Sequence, residues 1–93
     1  AASDVYKRQL VQRVTGWPGS SPPVDIFRHS RVQGDLLIQL HWDVPDRTDQ
    51  PSELGLRLAS ILRVHGLVDH SVWVSPEGRA GQIEDLGQKE NRP

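Results

Sequence analysis

The chain has 93 residues, which allows one small domain, and a domain of this size buries only about 60% of the surface that its unfolded chain exposes. It contains no cysteine, which excludes disulfides, thiolate metal sites and a cysteine nucleophile and favours a reducing, cytoplasmic compartment. Its net charge is -1 and its arginines are interleaved with acidic residues, so the sequence lacks the basic cluster that is typical of nucleic-acid binding. No apolar run approaches the roughly 20 residues of a membrane span.

The first segment, residues 1–9, contains the hexapeptide DVYKRQ. The codons GAT GTG TAT AAG AGA CAG would encode it, and together they resemble the transposon end that serves as an adaptor when DNA libraries are prepared for sequencing. We therefore expect residues 1–9 to be adaptor-derived and the native chain to be truncated at its amino terminus. On this expectation, the basic side chains of Lys7 and Arg8 carry no function.

A short helix is predicted next. Leu10, Val11 and Val14 have the spacing of one helix face, and the Gly- and Pro-rich stretch 16–23 breaks the helix and forms a loop. The adaptor-like segment would extend this helix toward the amino terminus.

Two strands that form a hairpin follow the loop. Residues 24–30 alternate and are rich in strand formers, and the strand 35–43 begins after RVQG, a short connection that contains glycine. In the second strand, His41 lies on the face opposite to the more apolar one. An even number of loop residues would place Arg28 on the face of His41, and an odd number would place it on the other face.

The second helix carries the strongest local signals. Ser52 is predicted as its N-cap, Glu53 adds a negative charge that favours the first turn, and Gly66 stands where a left-handed C-cap is expected. Between these ends runs an apolar stripe at helical spacing, made of Leu54, Leu58, Ile61, Leu62 and His65.

The last predicted strand spans residues 67–74. Its alternation gives one face made of Val68, His70, Val72 and Val74 and an opposite face made of Asp69, Ser71 and Trp73. The pattern leaves open which of the two faces is buried. Residues 76–93 contain few apolar side chains, so we expect them to form a polar, disordered tail.

This order of elements, helix, strand, strand, helix, strand, predicts an α+β domain over residues 10–75 with an antiparallel hairpin and both helices on one sheet face. One more strand before the first helix would give βαββαβ, the ferredoxin-like plan. In that plan the first strand lies in the middle of the sheet, between the third strand and the last. The sequence therefore predicts a ferredoxin-like plan that lacks its first, central strand.

Two segments of this domain, VDIFRHSRVQGDLLIQLHWD and SELGLRLASILRVHGLVDHSVWV, resemble a dimeric α/β barrel domain of the antibiotic-biosynthesis-monooxygenase type. In that family a strand that ends in an aromatic-Arg-His or aromatic-Arg-Ser step precedes an apolar strand that ends in Trp or another aromatic residue and an acid. The corresponding residues here are Phe27, Arg28 and His29, followed by Trp42 and Asp43.

The resemblance covers residues 11–74 and implies that the full-length protein is a homodimer whose sheets face each other around a ligand pocket. The family's activities include cofactor-independent oxygenation of quinols and polyketides, haem degradation and isomerisation of small molecules. The haem-degrading branch uses a histidine near the end of the second helix, where His65 lies, together with a first strand that this chain lacks. We therefore expect no cofactor and a small aromatic or quinone-like ligand.

No metal site is expected from the histidines. They stand at positions 29, 41, 65 and 70, without a close ligand spacing such as H-x-x-x-H, and no cysteine supports them. His65 has a structural explanation, because a histidine at the end of a helix complements the negative end of the helix dipole.

Five side chains are candidates for ligand contact: Arg28, His41, Asp69, Ser71 and Trp73. His41 is the catalytic candidate, because imidazole can act as a general base near neutral pH. The leading hypothesis is a monooxygenase-like or small-molecule-binding domain. The alternative is a non-catalytic dimerisation or interaction domain of the same fold, whose polar face is satisfied across the two-fold axis.

Overall fold

Two α-helices and a four-stranded antiparallel sheet make up the fold. The structure, a computed structural model, describes residues 4–16, 22–42, 51–76 and 81–90. Its elements in chain order are α1 Asp4–Thr15, β1 Val24–Arg28, β2 Leu36–Trp42, α2 Glu53–Arg63, β3 Leu67–Val74 and β4 Gln82–Lys89. The strand order is β1-β2-β4-β3, and both helices contribute to a single core on one face of the sheet. The predicted α+β fold with a ferredoxin-like pattern is confirmed.

Several predicted segments lie outside the described residues. They are the amino-terminal residues 1–3, most of the two predicted loops at 17–21 and 43–50, and residues 77–80 and 91–93 of the predicted tail. Asp43, the acid of the family resemblance, is among them. α1 begins within the adaptor-like segment, and the origin of that segment stays a prediction.

The central position of the sheet is occupied by β4. This strand comes from the stretch 76–93, for which a disordered tail was expected, so that expectation is wrong for residues 82–89. β4 is antiparallel to β2 on one side and to β3 on the other, with Leu86 opposite both Ile38 and His70. β4 therefore occupies the central position for which the predicted order of elements contained no strand.

β4 is hidden in the sequence because its buried side chains are mostly polar. Four alternate residues of the strand are buried on the helix-facing side: Gln82, Glu84, Leu86 and Gln88. Since one of the four is apolar, alternating hydrophobicity does not reveal a strand here. Glu84 and Gln88 are tolerated in the core because hydrogen bonds satisfy their side chains.

The hairpin of β1 and β2 has the odd-loop register. Seven residues separate Arg28 from Leu36, which pair with each other, and Ile26 pairs with Ile38. Directly opposed residues of an antiparallel pair share a face, so Arg28 lies on the helix-facing side and His41 on the other. The alternative in which Arg28 shares the face of His41 is excluded.

The buried side of α1 includes a charged residue. Lys7 and Val11, four residues apart on one side of the helix, are both fully buried. The Lys7 ammonium donates to the Gly34 carbonyl at 2.7 Å, to Gln88 Oε1 at 2.8 Å and to Glu90 Oε1 at 2.9 Å. Lys7 therefore ties α1 to the end of β4, a structural role that the sequence did not indicate.

α2 has the N-cap and the buried stripe that its sequence predicts, but not the predicted C-cap. Ser52 Oγ accepts the N–H of Gly55 at 2.9 Å, as an N-cap does. The C-cap is Val64 in the right-handed conformation, and Gly66 lies two residues beyond it with a φ of 152°. Leu58 and Leu62 of the predicted stripe are fully buried. The core consists of Val11, Leu36, Ile38, Leu40, Leu58, Ala59, Leu62 and Leu86.

Candidate functional site

The sheet has one face packed against the helices and one open face. The open face is the side away from α1 and α2, and no helix within the described residues covers it. Its residues, strand by strand, are Asp25 and Phe27, then Leu37, Gln39 and His41, then Ile83, Asp85, Gly87 and Lys89, then Leu67, Asp69, Ser71 and Trp73. Four of the five candidate residues lie on this face, and Arg28 lies on the other.

His41 is held by a carboxylate of the neighbouring strand. Its Nε2 lies 2.8 Å from Oδ2 of Asp25 on β1, and both side chains are partly exposed. The backbone N–H of His41 also donates to the Pro23 carbonyl at 3.0 Å, which fixes the start of β1 against the end of β2. A neutral His41 that donates Nε2–H to Asp25 keeps the lone pair of Nδ1 available, as a general base requires.

A groove lies beside this pair at one end of the sheet, and we call it the His41 groove. Its volume is about 310 Å³, and it is lined by His41, Trp42, Trp73, Val74, Ser75, Gly81, Gln82 and Ile83. Ile83 is opposite both His41 and Trp73 in the sheet register, so it lies between them. Two strand spacings, about 9.5 Å, separate the backbones of His41 and Trp73.

Asp69 and Ser71 lie farther along β3 and are exposed. Ser71 is opposite Asp85 and Asp69 is opposite Gly87, and neither lines the His41 groove. Oδ1 of Asp85 is shielded from solvent and has no hydrogen-bond partner in the part of the chain that the structure describes.

Arg28 lies at the opposite end of the sheet from His41. It ends β1, is exposed, and lines a second groove together with residues of β2 and β4. The structure thus brings His41 and Trp73 to one groove, and it does not bring Arg28, Asp69 or Ser71 to them.

Three residues near His41 are not predicted from the sequence: Asp25, Gln82 and Ile83. Asp25 is recognisable as the polar residue of an alternating strand, but its contact with His41 depends on the register of the hairpin. Gln82 and Ile83 belong to β4, which has no apolar alternation. Gln82 Oε1 is buried and has no hydrogen-bond partner among the described residues.

A separate polar cluster surrounds Glu84 on the helix-facing side. Glu84 is fully buried, and its Oε1 accepts Trp42 Nε1–H at 2.8 Å and the Ser52 N–H at 3.1 Å. Its Oε2 lies 2.8 Å from His70 Nε2. Gly55 is packed so close to this carboxylate that a Cβ there would collide with it. The cluster joins β2, β3 and β4 to the first turn of α2, which is a structural role.

The described part of the chain contains neither a metal-ligand set nor a membrane-spanning helix. No three His, Asp or Glu side chains converge there, and neither helix is long and apolar enough to cross a membrane. Comparison of the chain with protein-family models, curated proteins and solved structures finds no match. The resemblance to the antibiotic-biosynthesis-monooxygenase type stays a prediction.

Proposed function

We propose that this chain binds a small aromatic ligand of the phenol or quinol class in the His41 groove. The observation that supports this most is that His41, whose Nε2 lies 2.8 Å from Asp25 Oδ2, lines the same groove as Trp73. An apolar residue at the bottom, Ile83, and an indole wall suit a flat ring, and the histidine suits the hydroxyl of that ring.

In this proposal His41 removes the hydroxyl proton of the ligand. Nδ1 accepts the proton, and the Asp25 carboxylate stabilises the imidazolium that results. The phenolate or quinolate that remains is richer in electrons than the neutral ligand and is therefore more reactive toward oxygen. This step fits the monooxygenase-like reaction that the family resemblance implies.

A homodimer formed through the open face is part of the proposal. Phe27 is 49% exposed, Leu67 is 65% exposed and Trp73 is 61% exposed, and all three lie on that face. Exposed apolar surface of this kind commonly marks an interaction site. A second copy packed there would cover these side chains and close the His41 groove against water.

The cytoplasm is the compartment that we propose. The chain contains no cysteine, so it makes no use of an oxidising environment. A quinol-type ligand is also compatible with this location.

A non-catalytic dimerisation domain is the second candidate function. The exposed apolar residues of the open face favour this candidate, because a second copy of the chain would cover them without any ligand. In that case the polar residues of the open face pair with protein groups of the second copy, and no cavity remains beside His41. A cavity of several hundred cubic ångströms in the dimer indicates a ligand site, whereas a filled interface indicates dimerisation alone.

Oxygen uptake with a panel of quinols tests the enzymatic proposal. Uptake should exceed the autoxidation rate, and His41→Ala should lower the enzymatic rate about 100-fold or more, as expected for loss of a general base. His65→Ala is the matched control, because His65 is stacked edge-on against Tyr6 with 5.7 Å between ring centroids, away from the open face. Equal rates in the wild type and His41→Ala would remove His41 from the mechanism.

A further inference from the structure

We infer that a second groove, at the hairpin end of the sheet, binds a small aromatic carboxylate. We call it the Arg28 groove, and its volume is about 320 Å³. Its lining includes Phe27, Arg28, His29, Leu37, Gly87 and Lys89, and it shares no lining residue with the His41 groove. The assignment is therefore independent of the ligand proposed for the His41 groove.

Two cations, Arg28 and Lys89, line this groove. Within the described residues, neither the Arg28 guanidinium nor the Lys89 ammonium forms a hydrogen bond or an ion pair. Arg28 ends β1 and Lys89 ends β4, so the two charges come from different strands. A carboxylate is the ligand group that such cations bind best, since the guanidinium offers two parallel N–H donors to its two oxygens.

His29 adds a hydrogen-bond donor whose tautomer is determined by the backbone. Its Nδ1 accepts the N–H of Arg31 at 3.0 Å and the N–H of Val32 at 2.9 Å. Because Nδ1 is an acceptor in both bonds, the proton of the neutral ring is on Nε2. The lining therefore contains a third N–H donor for an anion.

One acidic side chain, Asp35, also lines the groove. It is 7% exposed, and its Oδ1 accepts the backbone N–H of Glu90 at 3.1 Å. Arg28 and Lys89 together outweigh this single carboxylate. The lining residues therefore carry a net positive charge, which matches an anionic ligand, and Asp69, opposite Gly87, is a further carboxylate beside the groove.

Gly87 makes room for the ring of the ligand. It lies on the open face opposite Leu37 and Asp69, and a Cβ built there would meet only the Asp69 Cβ, at 4.0 Å. The missing side chain leaves a hollow beside Leu37 and Phe27, and Phe27 is half exposed. An apolar hollow next to Lys89 on the open face, in a groove that Arg28 also lines at the end of β1, suits a flat ring that carries a carboxylate.

Benzoate and benzamide are the matched probes, because they differ in charge and hardly in shape. Each is titrated into the full chain while amide NMR shifts are recorded. Benzoate should bind saturably, with the largest shifts at Leu37, Gly87 and Lys89, and benzamide should bind at least about tenfold more weakly because it lacks the charge. Equal affinity for the two probes, or no saturable binding of benzoate, would overturn the assignment.

Three variants locate the binding site. Arg28→Gln should weaken benzoate binding at least about tenfold, and Gly87→Val should abolish it by filling the hollow. Arg57→Gln is the control, because it removes a charge from the exposed side of α2 and should leave the affinity unchanged. Valine is a good strand former, and a dispersed amide spectrum verifies that Gly87→Val is folded. If Gly87→Val is unfolded, the affinity of Arg28→Gln for benzoate decides whether the assignment holds. Equal losses in Arg28→Gln and Arg57→Gln, or shifts centred on His41 and Ile83, would contradict the site.

Discussion

Two buried charges hold the ends of β4. Glu84 accepts hydrogen bonds from Trp42 and lies beside His70 near one end, and Lys7 donates to Gln88 near the other. Both charges are fully buried, so each depends on its partners to offset the cost of leaving water. These contacts explain how a strand with few apolar residues can lie inside the sheet.

Gly55→Ala should destabilise the protein, although alanine is the better helix former. Inside most helices this substitution gains about 1 kcal/mol. At Gly55 the new Cβ would collide with the Glu84 carboxylate, so the sign should reverse. Thermal denaturation measures the effect, and Ser60→Ala, at an exposed position of the same helix, is the control that should not lower Tm. A higher Tm for Gly55→Ala would show that Glu84 does not lie against α2.

At the scale of elements, the sequence reveals those whose buried face is apolar. Ser52 and the stripe that includes Leu58 indicate α2, and the alternation around Ile38 indicates β2. β4 is not revealed, because Glu84 and Gln88 are buried through hydrogen bonds. Their partners are far away in the sequence, and a local pattern contains no information about them.

The candidate site is predictable from the sequence only in part. Alternation places His41 on the less apolar face of its strand, and the structure agrees. The proximity of Trp73 depends on β4 standing between the two strands, which no local pattern shows. Arg28 lies on the face opposite to His41 because the hairpin loop has an odd number of residues. The sequence does not locate strand ends to within one residue, so it does not determine whether that number is odd or even.

A chain that ends at residue 80 should fail to fold cooperatively. It lacks β4, so β2 and β3 lose the strand that joins them, and the core loses Leu86. Circular dichroism during heating measures the transition. A chain shortened only by residues 91–93 is the control and should melt like the full chain. If the chain that ends at residue 80 melted cooperatively at the Tm of the full chain, the placement of β4 would be contradicted.

At the scale of the whole molecule, the domain has two layers and one uncovered sheet face. Helices cover one side of the sheet, and within the described residues the other side exposes large apolar side chains. One groove lies at each end of the sheet. Layered domains commonly bury such a face against another layer. A second copy of the chain would supply that layer. In such a dimer, one groove of each copy would lie beside the two-fold axis or at the edge of the interface.

Leu67→Asp should convert the proposed homodimer into a monomer. Leu67 is 65% exposed on the open face, so the substitution would place a charge in the interface without affecting the core. Sedimentation velocity measures the change. Val64→Asp is the matched control, because Val64 is 80% exposed at the end of α2, away from the open face, and should leave the dimer intact. A monomeric wild-type chain would contradict the dimer.

We propose that a phenol or quinol binds between His41 and Trp73, and a quinol titration followed by amide NMR tests this most directly. We predict saturable shifts that are largest at His41, Ile83 and Trp73 and that disappear in His41→Ala. The absence of saturable shifts, or shifts confined to Phe27 and the rest of the Arg28 groove, would contradict the claim.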